Sequence, residues 1–158
     1  HGVELSSNWK PSKDIMVDLG YIRTFSYDGS TCDNSGDYCD NTMNVRVPSY
    51  VVTSGVSKVF KNNLSGKANL KYVGERRDYG GGDNGFRQVM LDEYMVIDLS
   101  ANYNMGDYKM NFSLKNLFDE DYQEVNNYST LGRNLNFRIN RKFWYYINLL
   151  RDHDLVLS

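Results

Sequence analysis

The chain has 158 residues, enough for one domain with its own core, but a mean hydropathy of −0.59 and a 41 % hydrophobic share are low for a soluble one. With 13 Tyr, 7 Phe and 2 Trp against 2 Pro it is too aromatic for a disordered chain, and it suits extended structure with one wet face. A net charge of −2 excludes a generally nucleic-acid-binding surface, and no apolar run reaches the roughly 18 residues of a membrane-spanning helix, which leaves open crossing by strands.

The sequence opens at His1 within a strand-like pattern, HGVELSSNW, without a signal-peptide layout, and is read as starting at a cut end. Val3, Leu5 and Trp9 alternate with Glu4, Ser6 and Asn8, which predicts a strand over 2–10. Val17, Leu19, Tyr21 and Phe25 alternate with Asp18, Gly20, Thr24 and Ser26 and predict a second over 15–27. Strands over 49–60 and 66–78 follow. Ile97, Leu99, Ala101 and Tyr103 against Asp98, Ser100 and Asn102 predict one over 93–104. Tyr108, Met110, Phe112 and Leu114 against Lys109, Asn111, Ser113 and Lys115 predict one over 108–117. Leu135, Phe137, Ile139 and Phe143 against Asn134, Asn136, Arg138, Asn140 and Lys142 predict the last, over 133–143. Several reach about 10 residues, the length of a tilted membrane strand rather than the usual 5–6.

The connections alternate. Pro11–Asp14, Lys61–Ser65 and Met105–Asp107 are tight turns, whereas 28–48, 79–92 and 118–132 are long and rich in Gly, Asn and Asp. An up-and-down sheet with short turns at one end and long loops at the other is the layout of an outer-membrane barrel, with the long loops outside. Trp9, Tyr21, Phe25, Tyr72, Tyr103, Tyr108, Phe112 and Phe143 on the apolar face supply aromatic girdles. The Asn, Ser, Lys, Arg and Asp of the other face need a hydrated lumen, because a dry core would leave them unpartnered. The expected fold is all-β, an antiparallel up-and-down transmembrane barrel represented by about seven strands.

Ordered motifs in the chain resemble the final strands of TonB-dependent outer-membrane receptors. They are Arg46-Val47-Pro48, Tyr72 to Asp78 as Y-x-G-x-R-x-D, Leu91 to Leu99 as L-x-x-Y-x-V-x-D-L, and Asn116, Leu117, Phe118, Asp119 and Tyr122 as N-L-F-D-x-x-Y. Gly132-Arg133 then precedes a last strand ending at Phe143. The resemblance covers roughly 2–143. It implies a 22-stranded barrel of the bacterial outer membrane, closed by an amino-terminal plug and in contact with lipid. It also implies active uptake of a scarce small-molecule ligand, such as a ferric siderophore or cobalamin, with energy delivered by the TonB complex through the plug. Neither plug nor TonB box is among the motifs here, and the strands present would leave the barrel open. The family ends on a terminal aromatic. Phe143 stands in that place, yet residues 144–158 follow, as a natural extension or a boundary artefact of unknown role. Ligand contacts are expected from loops 28–48, 79–92 and 118–132.

The residues of N-L-F-D-x-x-Y read as structural. Leu117 and Phe118 end the apolar face, Asn116, Asp119 and Asp121 turn the chain, and Tyr122 anchors the loop near the headgroups. Cys32 and Cys39 in a polar loop read as a small disulfide, with half a metal site or two free thiols as the alternatives. Asp33, Asp37 and Asp40 lack the calcium-loop order, Gly80–Gly82 lacks a following G-K-[ST], and His1 and His153 sit in no ligand spacing, so neither metal nor cofactor is expected. Glu75, Arg76, Arg77 and Asp78 read as exposed charge pairs of small value. No nucleophile–base set points to an enzyme. The other readings of the pattern are a passive porin-like channel and a soluble β-sandwich binding module.

Overall fold

The computed structural model describes residues 1–25, 27–28, 42–61, 63–80 and 87–142. Cys32, Cys39, Phe143 and the segment 144–158 lie outside them. The strands in chain order are β1 (Gly2–Ser12), β2 (Ile15–Thr24), β3 (Tyr27–Asp28), β4 (Thr42–Met43), β5 (Tyr50–Lys61), β6 (Leu64–Val73), β7 (Arg76–Gly80), β8 (Arg87–Leu91), β9 (Tyr94–Met105), β10 (Tyr108–Lys115) and β11 (Asn134–Arg141). Seven of them form one antiparallel sheet in the order β1-β2-β5-β6-β9-β10-β11, which is chain order apart from two small hairpins. Those hairpins, β3–β4 and β7–β8, stand on the long connections at the same end of the sheet.

The differences from the sequence reading are local. The strand expected over 15–27 stops at Thr24, and the one expected over 66–78 divides at Gly74-Glu75 into β6 and β7. The loop expected over 79–92 contains β8. Gly74 is the break point for a steric reason. A Cβ there would stand 2.7 Å from Ser49 Oγ and 2.8 Å from Tyr50 Cε1, while the Gly74 N–H donates to the Tyr50 carbonyl at 2.9 Å.

Register turns the period-two patterns into two continuous faces. Leu5, Tyr21, Val52, Tyr72 and Met95 align across five strands, and Leu99, Leu114 and Leu135 across three. Phe112, Phe137, Leu19 and Leu135 on this face are 47–69 % exposed, so an apolar surface spans the whole sheet without a protein partner. Its charged residues, among those described, are confined to the strand ends, and each lies over a ring. Arg23 is 5.6 Å from the Phe25 ring and 5.9 Å from that of Tyr50, Lys58 is 5.4 Å from Phe60, and Arg141 is 5.4 Å from Tyr108. Long cationic stems that stretch toward an interface behave this way. From the level of Met95 to Tyr103 on β9 is eight positions. At about 3.3 Å each and a tilt of about 40° these span roughly 20 Å of height.

The opposite face is a polar ladder. Asn111 donates to Asn102 Oδ1 at 2.8 Å, and Lys67 reaches Asp18 at 3.8 Å. Asp18 makes that reach by lying across Gly55 of β5, where a Cβ would meet its carboxylate at 2.4–2.6 Å. Phe112 and Phe137 stack at 4.4 Å near mid-strand on the apolar face, so Phe112 belongs to no girdle. The small apolar core of Val73, Leu91 and Tyr94 sits at the long-loop end.

Gly74→Val is expected to lower stability by about 1–3 kcal/mol, because the new side chain must displace Tyr50 and Ser49. Gly106→Asn, at a φ of +57° with open space around it, is expected to be near neutral. Urea unfolding in detergent or lipid compares the two.

Candidate functional site

The long connections at one end of the sheet are knitted together around two buried charges. In β7 the burial alternates, so that Arg76 (3 % exposed) and Asp78 (0 %) point inward while Arg77 and Tyr79 do not. The expectation that residues 75–78 form exposed, low-value pairs is therefore corrected. The alternation of Glu75, Arg76, Arg77 and Asp78 carried the signal, since residues two apart on a strand share a side.

Asp78 joins three segments. Its Oδ1 accepts from Arg46 Nε at 2.8 Å and from the Tyr79 N–H at 2.8 Å, and its Oδ2 accepts from the Asn126 N–H at 2.6 Å. Arg46 also donates its backbone N–H to the Arg77 carbonyl at 2.6 Å, and Asn126 Nδ2 reaches the Tyr79 carbonyl at 3.1 Å. Burial alone would raise the Asp78 carboxyl, but the Asn126 and Tyr79 amides and the Arg46 guanidinium outweigh it and hold it below the usual carboxylate range.

Arg76 ties the same hairpin to the following segment. Its Nε donates to the Glu124 carbonyl at 3.2 Å and its Nη2 to the Gln123 carbonyl, and its guanidinium lies 5.3 Å from the Tyr94 ring. Tyr94 stacks on Tyr122 at 4.0 Å and donates its hydroxyl to Glu124 Oε1 at 2.9 Å, where Lys71 Nζ arrives at 3.4 Å. The Tyr94 hydroxyl, aided by Lys71, holds the Glu124 carboxyl low against the opposing effect of burial. Burial and the charge of Glu124 push the Tyr122 phenol up. Tyr122 thus folds inward onto β9 and the polar face, rather than outward to headgroups.

The N-L-F-D residues form the turn that launches this segment. Asn116 is buried with φ 51°, and its Oδ1 accepts from the Glu120 N–H while its Nδ2 donates to the Glu120 carbonyl, both at 2.8 Å. Its own N–H donates to Asp98 Oδ1 at 2.9 Å. Asp119, at φ 59°, accepts from the Arg133 N–H at 2.6 Å, and its carboxylate occupies the space a Cβ on Gly132 would need. Leu117 donates its N–H to the Ile97 carbonyl at 2.8 Å, and Phe118 is 66 % exposed. The structure therefore brings Asn116, Asp119, Gly132 and Arg133 together as one closure of the 116–133 segment. Sequence reasoning placed Arg46 and Asp78 in motifs but not together in a site, and it missed Glu124; their bonds reach residues 30 or more positions away.

Three clefts result among the described residues. One of about 630 Å³ lies between this segment and the polar face, lined by Lys71, Asp98, Lys115, Tyr122 and Asn134 among others. Another, of about 370 Å³, lies between Arg46 and residues 124–130. These two fall in the range of ligand pockets, roughly 300–1,000 Å³. Among the described residues no group of three His, Cys, Asp or Glu is arranged to hold a metal ion.

Because the folded-state pKa of Asp78 is depressed, the stability it adds is complete above the ordinary value of about 3.9. It is lost as pH falls through the folded value, which lies below that. The protection factors of amides in residues 76–80 and 123–127, corrected for the intrinsic pH dependence of exchange, are expected to fall on acidification in this window, and Asp78→Asn should lower them at neutral pH and flatten the response. Asn116→Ala is expected to cost about 2–3 kcal/mol, from lost side-chain hydrogen bonds and an unfavourable positive φ. Asn116→Gly should cost less, and equilibrium unfolding reads the difference.

Residues 1–117 match the family model described as TonB dependent receptor-like, beta-barrel. Solved structures share the fold. The closed form of the ferric-catecholate import receptor Fiu from E. coli K12 superposes with a TM-score of 0.72 at 20 % identity, over 90 % of this chain and 20 % of that one. The siderophore receptor PiuA from Acinetobacter baumannii gives 0.69 at 21 %, over 90 % and 21 %. The FrpB iron transporter from Neisseria meningitidis, F3-3 variant, gives 0.67 at 19 %, over 90 % and 24 %. The chain thus spans about a fifth to a quarter of the length of these structures. The match over residues 1–117, with the seven-stranded meander, establishes that the chain belongs to the TonB-dependent receptor β-barrel family.

Proposed function

We propose that the chain is a sector of the barrel wall and outer loops of a bacterial outer-membrane receptor that takes up an iron chelate, of the siderophore kind, by TonB-dependent transport. The observation that carries this reading is the two-faced sheet. A continuous apolar surface, with charges only at its ends among the described residues, faces lipid, the polar ladder faces a wet lumen, and the long connections gather at one mouth around three clefts. Family membership supports active rather than passive transport. The structures of similar fold are a ferric-catecholate import receptor, a siderophore receptor and an iron transporter, which favours iron over cobalamin as the cargo metal. A plug and its contact with TonB would come from sequence beyond these residues. The loops at residues 28–48, 79–92 and 118–132 remain the proposed source of ligand contacts.

Two experiments test this. Uptake of radioactive iron by cells carrying the full receptor is expected to stop when TonB is deleted or the membrane is de-energised, and uptake that persists would identify a passive channel. Leu99→Arg, at mid-height on the apolar face, is expected to destabilise the receptor in lipid by about 2–4 kcal/mol. Ser100→Arg, its neighbour on the polar face, should change stability little. Equal costs at the two positions would sink the assignment of the faces.

A further inference from the structure

We propose that the cleft between Arg46 and residues 124–130 is a subsite for a carboxylate carried on the outside of an anionic iron chelate, with Arg46 as its ligand contact and Asp78 as the positioning residue. This rests on the receptor reading above. The cleft is lined by Arg46, Glu124, Val125, Tyr128, Ser129 and Thr130.

The two walls are held in place before any ligand arrives. Arg46 has φ 64° and Asn127 has φ 63°. Asn adopts that region readily, but Arg seldom does, and the surroundings must hold it there. They do so by the Arg46 N–H to the Arg77 carbonyl and by Arg46 Nε to Asp78. On the other wall, the Asn126 N–H is bound by the same Asp78, the Asn127 N–H by Gln123 Oε1 at 3.1 Å, and the Tyr128 N–H by the Val125 carbonyl at 3.0 Å. One buried carboxylate therefore sets the separation of both walls.

The chemistry of the cleft selects an anion. Anchoring through Nε fixes the plane of the Arg46 guanidinium, while its side chain stays 56 % exposed. A planar fork held this way offers paired N–H groups to a carboxylate. Tyr128, 72 % exposed, adds a ring face and a hydroxyl. Among the described residues Glu124 is the one carboxylate in the lining, and it already accepts from Tyr94 and Lys71. Within the bonded network Arg46, Lys71 and Arg76 face the carboxylates of Asp78 and Glu124, and Arg46 is the cation that lines the cleft.

The test uses the full-length receptor in detergent with two probes, iron(III) citrate, whose surface is anionic and carboxylate-rich, and a cationic trihydroxamate chelate of iron. Arg46→Met is expected to weaken citrate-chelate binding by about tenfold or more, the loss of a charge-assisted contact. It should leave the cationic chelate within about twofold, since that probe lacks a carboxylate. The thermal midpoint should fall, because buried Asp78 loses its guanidinium partner, so retained binding of the cationic chelate is the control that the variant is folded. Arg46→Lys should recover only part of the affinity, because an ammonium offers no paired fork. Asp78→Asn should weaken citrate-chelate binding in parallel. Unchanged citrate binding by Arg46→Met, or equal losses for both probes, would overturn the subsite. Binding of the cationic chelate but not the citrate chelate by the unaltered receptor would overturn it while leaving the receptor reading intact. A receptor that binds neither probe and carries no iron into cells would bring down both.

Discussion

In hydrocarbon no water is available to a backbone N–H or C=O, so every such group must be bonded within the protein. The seven-stranded meander meets that requirement locally, since each strand pairs with a sequence neighbour once the loop hairpins are set aside. Everything else in the sector follows from that ladder. Pairing fixes register, and register decides that Leu5, Tyr21, Val52, Tyr72 and Met95 share the apolar face while Asp18, Lys67, Asn102 and Asn111 share the polar one. Among the described residues, β1 and β11 each have one unpaired edge, which a closed barrel must cover with further strands.

At the long-loop end the structure changes character. The ladder gives way to side-chain bonds, with buried Arg76 and Asp78 replacing backbone pairing as the organising groups. Such groups are stabilising only when nearly every donor and acceptor is met, and Asp78 has each oxygen engaged. Among the described residues Arg76 Nη1 is the exception, buried and without a hydrogen-bond acceptor. The mouth therefore behaves as a small polar core attached to the end of a two-dimensional wall, with Val73, Leu91 and Tyr94 as its apolar floor.

Much of the wall was legible because a period of two is a local property. Tyr108 through Leu114 announced their face, and the 108–117 strand differs from β10 only at its end, where Asn116 turns left-handed. The break at Gly74 was not legible, since it depends on Ser49 and Tyr50, whose proximity is a product of register. The same holds for the site. The Asn116–Glu120 closure spans four residues and could be read from Asx chemistry. The bonds of Asp78 to Arg46 and Asn126 span 32 and 48, and no pattern along the chain reports them. Tyr122 was misplaced for the same reason, because its partner Tyr94 lies on another strand.

The register shifts in the main sheet occur at Trp9/Ser12 and Val59/Lys61, both beside short turns. Within the second, the ring of Phe60 lies where a Cβ on Gly66 would approach it to 3.2 Å. An extra residue in mid-strand would exchange the lipid and water faces of all that follows it on that strand. At a strand end the same extra residue is absorbed within a single turn. The wall is thus a fixed-length script whose edits are tolerated only in its margins. Changes of length therefore belong in the connections, while the number of residues from one end of a strand to the other stays the same.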